Sequence, residues 1–116
     1  MPAPILDAYQ FGRIVVDGVA YTQDIIIFPD RVQENWWREA GHSVSVGDLE
    51  TIFTAKPSHL ILGLGAASRV QIPAETMAAI MEAGIDVTAL PTREACYLYN
   101  EMKDQERIIA GIHLTC

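Results

Sequence analysis

Hydrophobic positions follow two different rhythms along this chain. Before Pro29 they come in short runs broken by turn residues: Arg13-Ile14-Val15-Val16, then Asp17-Gly18, then Val19-Ala20-Tyr21. Asp-Gly between two such runs is a strong hairpin signal, because both central residues of the favoured two-residue turn need positive φ. Asp24-Ile25-Ile26-Ile27-Phe28, closed by Pro29-Asp30, predicts a third strand, and its unbroken apolar run implies burial on both faces. Arg31 to His42, holding Trp36-Trp37-Arg38-Glu39 and Gly41, follows neither period and predicts an extended or irregular stretch.

From Val46 the rhythm turns helical. Leu49, Ile52 and Phe53 are spaced i, i+3, i+4, with Ser45 or Asp48 able to cap, and Lys56-Pro57 ends the helix because a residue before proline is pushed away from α. Leu60–Leu64 predicts a central strand buried on both faces, followed by the small-residue turn Gly63-Leu64-Gly65-Ala66-Ala67-Ser68. Pro73 opens a helix over Ala74–Ala83, stopped by Gly84 at C′. Val87–Leu90 is a further strand, and Pro91-Thr92 starts a helix with Thr92 as its N-cap and Ala95, Leu98, Tyr99 and Met102 as its apolar stripe. Ile108–Leu114 is the last strand. The expected fold is a compact α/β domain spanning 1–116: a mixed β-sheet whose N-terminal β-meander leads into β-α-β-α-β, with helices packed on the sheet.

Composition narrows the function classes. A chain of 116 residues that is 50% hydrophobic and 20% charged supports one ordered domain with a real core. Fifteen acidic against eight basic residues leave a net charge of −7, which repels phosphate backbones, so no nucleic-acid partner is expected. The N-terminal residues carry neither a signal peptide's basic and apolar regions nor a mitochondrial presequence. No apolar segment approaches the roughly 20 residues that span a bilayer. Two cysteines suit a reduced compartment better than a disulfide scaffold, so a cytoplasmic location without membrane contact is expected.

Several short motifs match across the whole chain: Phe11-Gly12, Val16-Asp17-Gly18, Tyr21-Thr22-Gln23-Asp24, Trp37-Arg38-Glu39 and Gly41-His42 in the first half. Gly63-Leu64-Gly65, Gly84-Ile85-Asp86-Val87, Thr92-Arg93-Glu94-Ala95, Tyr99-Asn100 and His113-Leu114-Thr115-Cys116 continue them. With these the chain resembles the small Mth-type α/β domain family, which includes the adipogenesis-associated domain protein of animals. The mitochondrial complex I assembly factor three is a more distant relative. The resemblance implies a compact mixed-sheet α/β fold without an established activity for most members. The assembly-factor relatives act through protein partners inside mitochondria, a location not carried over to a chain without a presequence.

Three groups of residues are candidates for function. Gly63-x-Gly65 falls short of a dinucleotide fingerprint: Ser68 stands where the third glycine belongs and no acid follows the next strand, so no cofactor is expected. The turn can instead cradle an anion or carboxylate through the N–H groups near Gly63, Gly65, Ala66 and Ser68, with the Thr92 helix start beside them and Arg69 for charge. Its structural alternative is a tight strand-end turn. Trp36, Trp37, Arg38 and His42 form the second group, since Trp and Arg concentrate at interface hot spots; the alternative is that one tryptophan packs in the core.

Cys96 and His113 form the third group. Cys96 reads as a small buried hydrophobe rather than a nucleophile. His113-x-x-Cys116 supplies two ligands where a structural zinc needs four, with neither His42 nor His59 completing the set, so no metal is expected. No catalytic constellation stands out. The leading reading is a non-enzymatic protein-interaction or assembly module, self-association included, using Trp36–His42. The alternative is a small-molecule module or weak enzyme at Gly63–Ser68.

Overall fold

The computed structural model describes residues 3–39, 41–105 and 107–115. Strands β1 (Leu6–Gln10), β2 (Arg13–Val16) and β3 (Val19–Tyr21) form an antiparallel three-stranded sheet. β2 and β3 are the expected hairpin: Val16 pairs with Val19, and Asp17 and Gly18 take φ of 50° and 79° as the turn requires. β1 had no signal, because in Leu6-Asp-Ala-Tyr-Gln only Leu6 is buried. It is held from outside its own sequence. The Asn100 side chain accepts from the Leu6 N–H at 3.0 Å and donates to the Leu6 carbonyl at 2.7 Å.

The chain then leaves this sheet. β4 (Ile25–Ile27) enters a five-stranded sheet in the order β5-β4-β8-β6-β7, built with β5 (Val32–Gln33), β6 (His59–Leu64), β7 (Asp86–Leu90) and β8 (Ile108–His113). β6 runs parallel to β7 and β8, while β4 is antiparallel to β8. The mixed sheet and its β-α-β-α-β half are as expected, but the meander divides. Three isoleucines buried in succession need cover on both faces, and only an interior place in the larger sheet provides it. β6 is hydrogen-bonded on both sides and buried from Leu60 to Gly63, with Leu64 half-exposed at its end; the strand at the centre is β8.

Helices cover both faces. α3 (Thr92–Met102) and the small sheet enclose Ile25, Ile27, Ile61, Ala110 and Ile112. A 3₁₀ turn (Gly47–Leu49) leading into α1 (Glu50–Ala55), together with α2 (Ala74–Glu82), encloses Ile26, Phe28, Leu60, Leu62 and Ile109. Ser45 and Asp48 cap that turn reciprocally, each side chain accepting the other's N–H at 2.8 and 3.3 Å. α2 ends at Gly84 in a Schellman arrangement, with Gly84 N–H bonded to Met81 and Ile85 N–H to Ile80. Among the described residues no helix is long and apolar enough to cross a membrane.

Candidate functional site

The antiparallel register of β4 and β8 places Ile25 opposite Ile112, so the residues just beyond, Asp24 and His113, meet across the strand ends. Asp24 Oδ2 lies 2.6 Å from His113 Nδ1, and Asp24 Oδ1 accepts the Leu114 N–H at 2.8 Å. Two acceptors at 2.6 Å without a proton between them would repel, so Nδ1 carries the proton and donates to the carboxylate. In the neutral ring Nε2 is then the acceptor, and the Thr115 hydroxyl stands 3.3 Å from it. Burial pushes Asp24 toward its neutral form; the hydrogen bonds from His113, the Leu114 N–H and Arg38 outweigh this and hold its carboxyl below the ordinary value.

Arg38 comes to the same place from the irregular segment. Its Nη1 donates to Asp24 Oδ2 at 2.7 Å and its Nη2 to the Gly41 carbonyl at 3.0 Å, with the side chain only 5% exposed. Nη2 also lies 2.9 Å from His113 Nδ1, a contact between two donors once Nδ1 holds its proton. Arg38 is thus a buried ion-pair partner rather than a free surface cation.

The two tryptophans part company. Trp36 is buried, its ring resting on Gly111, where a Cβ would come within 3.0 Å of it, and its indole N–H donates to the Asp48 carbonyl at 3.0 Å. Trp37 is 79% exposed. His42 is exposed, and it pairs through its carbonyl with the Gln71 N–H. A cleft of about 390 Å³ opens over the cluster, walled by Thr22, Gln23, Asn35 and both tryptophans and floored by Asp24, Arg38, His113 and Thr115.

The glycine turn is occupied by its own fold. Gly65 N–H donates to Thr92 Oγ1 at 2.8 Å, Thr92 Oγ1 donates to the His113 carbonyl at 2.6 Å, and the Ala66 and Ser68 N–H groups bond to the Thr115 and Gly65 carbonyls. The crevice outside the strand ends, where open α/β sheets receive ligands, is stitched across by these bonds. Thr92 therefore does not cap α3. Pro91 holds the N-cap position and the fully buried Thr92 hydroxyl ties three elements together. Gly63 leaves room for it, since a Cβ there would meet Thr92 Oγ1 at 3.1 Å. Arg69 is exposed.

A second hollow of about 280 Å³ lies between β1 and α3, lined by Tyr9, Arg93, Cys96 and Asn100 among others. Burial, opposed weakly by Arg93, pushes the Cys96 thiol up to about 12, so it stays protonated and unreactive at neutral pH. Among the described residues no group of three or more His, Cys, Asp and Glu side chains could hold a metal ion; Cys116, weighed above with His113, lies outside them. Asp24 stands in one of the motifs that carry the resemblance and His113 and Thr115 in another, but no motif brings the three together. The only signal was positional: a titratable residue at the end of each of two apolar strands.

Comparison with known proteins agrees with this architecture. Residues 6–114 match the family described as protein of unknown function DUF498/DUF598. A conserved hypothetical protein from Pyrococcus horikoshii OT3 is 27% identical, superposes with a TM-score of 0.87, and the match covers 96% of this chain and 98% of that one. The protein MT938 is 26% identical at a TM-score of 0.80, covering 98% of this chain and all 100% of its own. A Bordetella pertussis protein described as an Mth938-like domain shares the fold at 19% identity and a TM-score of 0.76, over 96% of this chain and 85% of that one. The resemblance to the Mth-type domains holds along the chain's length, and the chain belongs to the DUF498/DUF598 family.

Proposed function

We propose that this domain acts by binding a protein partner, whose segment docks over Trp37 and into the cleft beside it. The observation that carries this reading is an exposed tryptophan presented on a pinned segment. Trp36 N–H donates to the Asp24 carbonyl at 2.8 Å, the Trp36 indole is anchored in the core, and Arg38 is locked to Asp24. Trp37 is therefore held at both neighbours while its own ring stands in water. Such pre-organisation reduces the entropy lost on docking and is what a binding hot spot requires.

The surroundings define the partner's chemistry. Glu34, Glu39 and Glu50 are exposed around this segment on a chain of net charge −7. They favour a basic segment with an apolar anchor, whose arginine can also stack on the indole face. A second copy of this chain would bring like-charged rims together. A small-molecule reading moves from the glycine turn to the same cleft, whose volume and polar floor suit a compact polar ligand.

The test compares immobilised chain with its Trp37→Ala variant. The unsubstituted chain is expected to retain a partner that the variant loses, with retention falling as salt rises and thermal stability unchanged. Equal retention by the two would remove Trp37 from the function.

A further inference from the structure

We propose that Asp24, His113 and Thr115 form a carboxylate–imidazole–hydroxyl relay, and that Thr115 accepts an acyl group from an activated ester entering the cleft. This goes beyond binding and stands separately from the docking role of Trp37. Nucleophilic sites of this kind are recognised by roles and geometry rather than by chain order: a hydroxyl within reach of a base, and the base oriented by a third group.

All three roles are filled. The carboxylate oxygen 2.6 Å from Nδ1, nearer than the Arg38 Nη2 at 2.9 Å, favours the Nδ1–H tautomer, and its other oxygen is tied to the Leu114 N–H, so the acid cannot rotate away. The lone pair of Nε2 faces the Thr115 hydroxyl at 3.3 Å, a separation typical of a nucleophile–base pair with no substrate bound. His113 and Thr115 are two residues apart, and both line the cleft. His113 and Asp24 are only 9% and 15% exposed, so the imidazole works in a largely water-excluded floor.

In the step itself, Thr115 Oγ1 attacks the ester carbonyl carbon and its proton passes to His113 Nε2. The bond from carbon to the departing oxygen breaks as the tetrahedral centre collapses, and the proton on Nε2 goes to that leaving oxygen. A water entering the vacated place then gives its proton to Nε2 and its oxygen to the acyl carbon. The acid is released and Thr115 recovers its proton. No oxidant, reductant or metal is consumed. Asp24 is a positioning residue that holds the imidazole by its Nδ1–H, with Arg38 holding Asp24 in turn.

The probe is p-nitrophenyl acetate with the purified chain, read as nitrophenolate release and as acetyl mass on the peptide carrying Thr115. The expected result is acetylation at position 115 in the unsubstituted chain and in Thr115→Ser, none in Thr115→Val, and labelling slowed by about 10²-fold or more in His113→Gln. Absence from the unsubstituted chain of both acetyl on Thr115 and His113-dependent nitrophenolate release, or equal labelling and release in His113→Gln, overturns the proposal. Neither outcome depends on whether Trp37 binds a partner.

Discussion

Replacing Thr92 by valine keeps the outline of a fully buried side chain and removes its hydroxyl. Two partners lose it: the Gly65 N–H, which donates at 2.8 Å, and the His113 carbonyl, which accepts at 2.6 Å. An orphaned buried N–H costs about 1–3 kcal/mol, and the lost bond to the carbonyl adds about 0.5–1.5 kcal/mol. The sum is about 1.5–4.5 kcal/mol. Unfolding entropy of about 2.1 cal/mol/K per residue makes each kcal/mol worth roughly 4 °C at this length, so the midpoint should fall by roughly 6–18 °C.

Thr92→Ser supplies the contrast. It keeps both hydrogen bonds and loses one methyl group, worth about 1 kcal/mol. Equilibrium urea unfolding of the three proteins, with the slope unchanged, measures the differences. If valine proved as stable as threonine, or more stable than serine, the hydroxyl would not be the joint of the strand ends, and the N–H groups of the glycine turn would have to be regarded as available to a ligand.

Other expectations follow from single contacts. Trp37→Ala should leave the melting temperature within about 2 °C while weakening partner binding by about 2 kcal/mol or more, measured by titration of the retained partner. Gly111→Ala drives a Cβ to within 3.0 Å of the Trp36 ring and should cost about 1–3 kcal/mol, seen in denaturant unfolding together with a shift in tryptophan emission. Asp24 is held below its ordinary pKa, so it contributes stability fully above about pH 4 that disappears as pH falls through the lowered value. The stability gap between the unsubstituted chain and Asp24→Asn should accordingly narrow on acidification below pH 4, and a gap that widens there would contradict the assignment. Iodoacetamide at neutral pH should label Cys96 only on unfolding, as peptide mapping would show, because its thiol is pushed up to about 12.

Elements that announce themselves by local rules were legible in the residues alone. Asp17-Gly18 specified its hairpin through the φ values that turn demands. Pro73 and Gly84 bracketed α2 to within one residue, and the unbroken runs in Asp24–Phe28 and Leu60–Leu64 declared strands buried on both faces, save for the half-exposed Leu64. β1 could not be seen, because its stability comes from pairing with β2 and from Asn100, far away in the chain. The parting of the two tryptophans was foreseeable only as an alternation; which one went inward was settled by the space over Gly111.

The candidate site belongs to the tertiary structure. Asp24 and His113 are 89 residues apart, and nothing in either neighbourhood indicates the other. They meet because β4 turns antiparallel onto β8 with Ile25 opposite Ile112, and Arg38 joins them because its segment crosses the same strand ends. The glycine turn teaches the reverse lesson. Its residues read as free donors, yet the strand register delivers Thr92 and the Thr115 carbonyl to those N–H groups. Backbone propensity and side-chain period act over a few residues, so the sequence determined the elements and the class of fold. Which polar groups are spent on one another, and which are left facing a cleft, is decided by strand pairing across the whole chain.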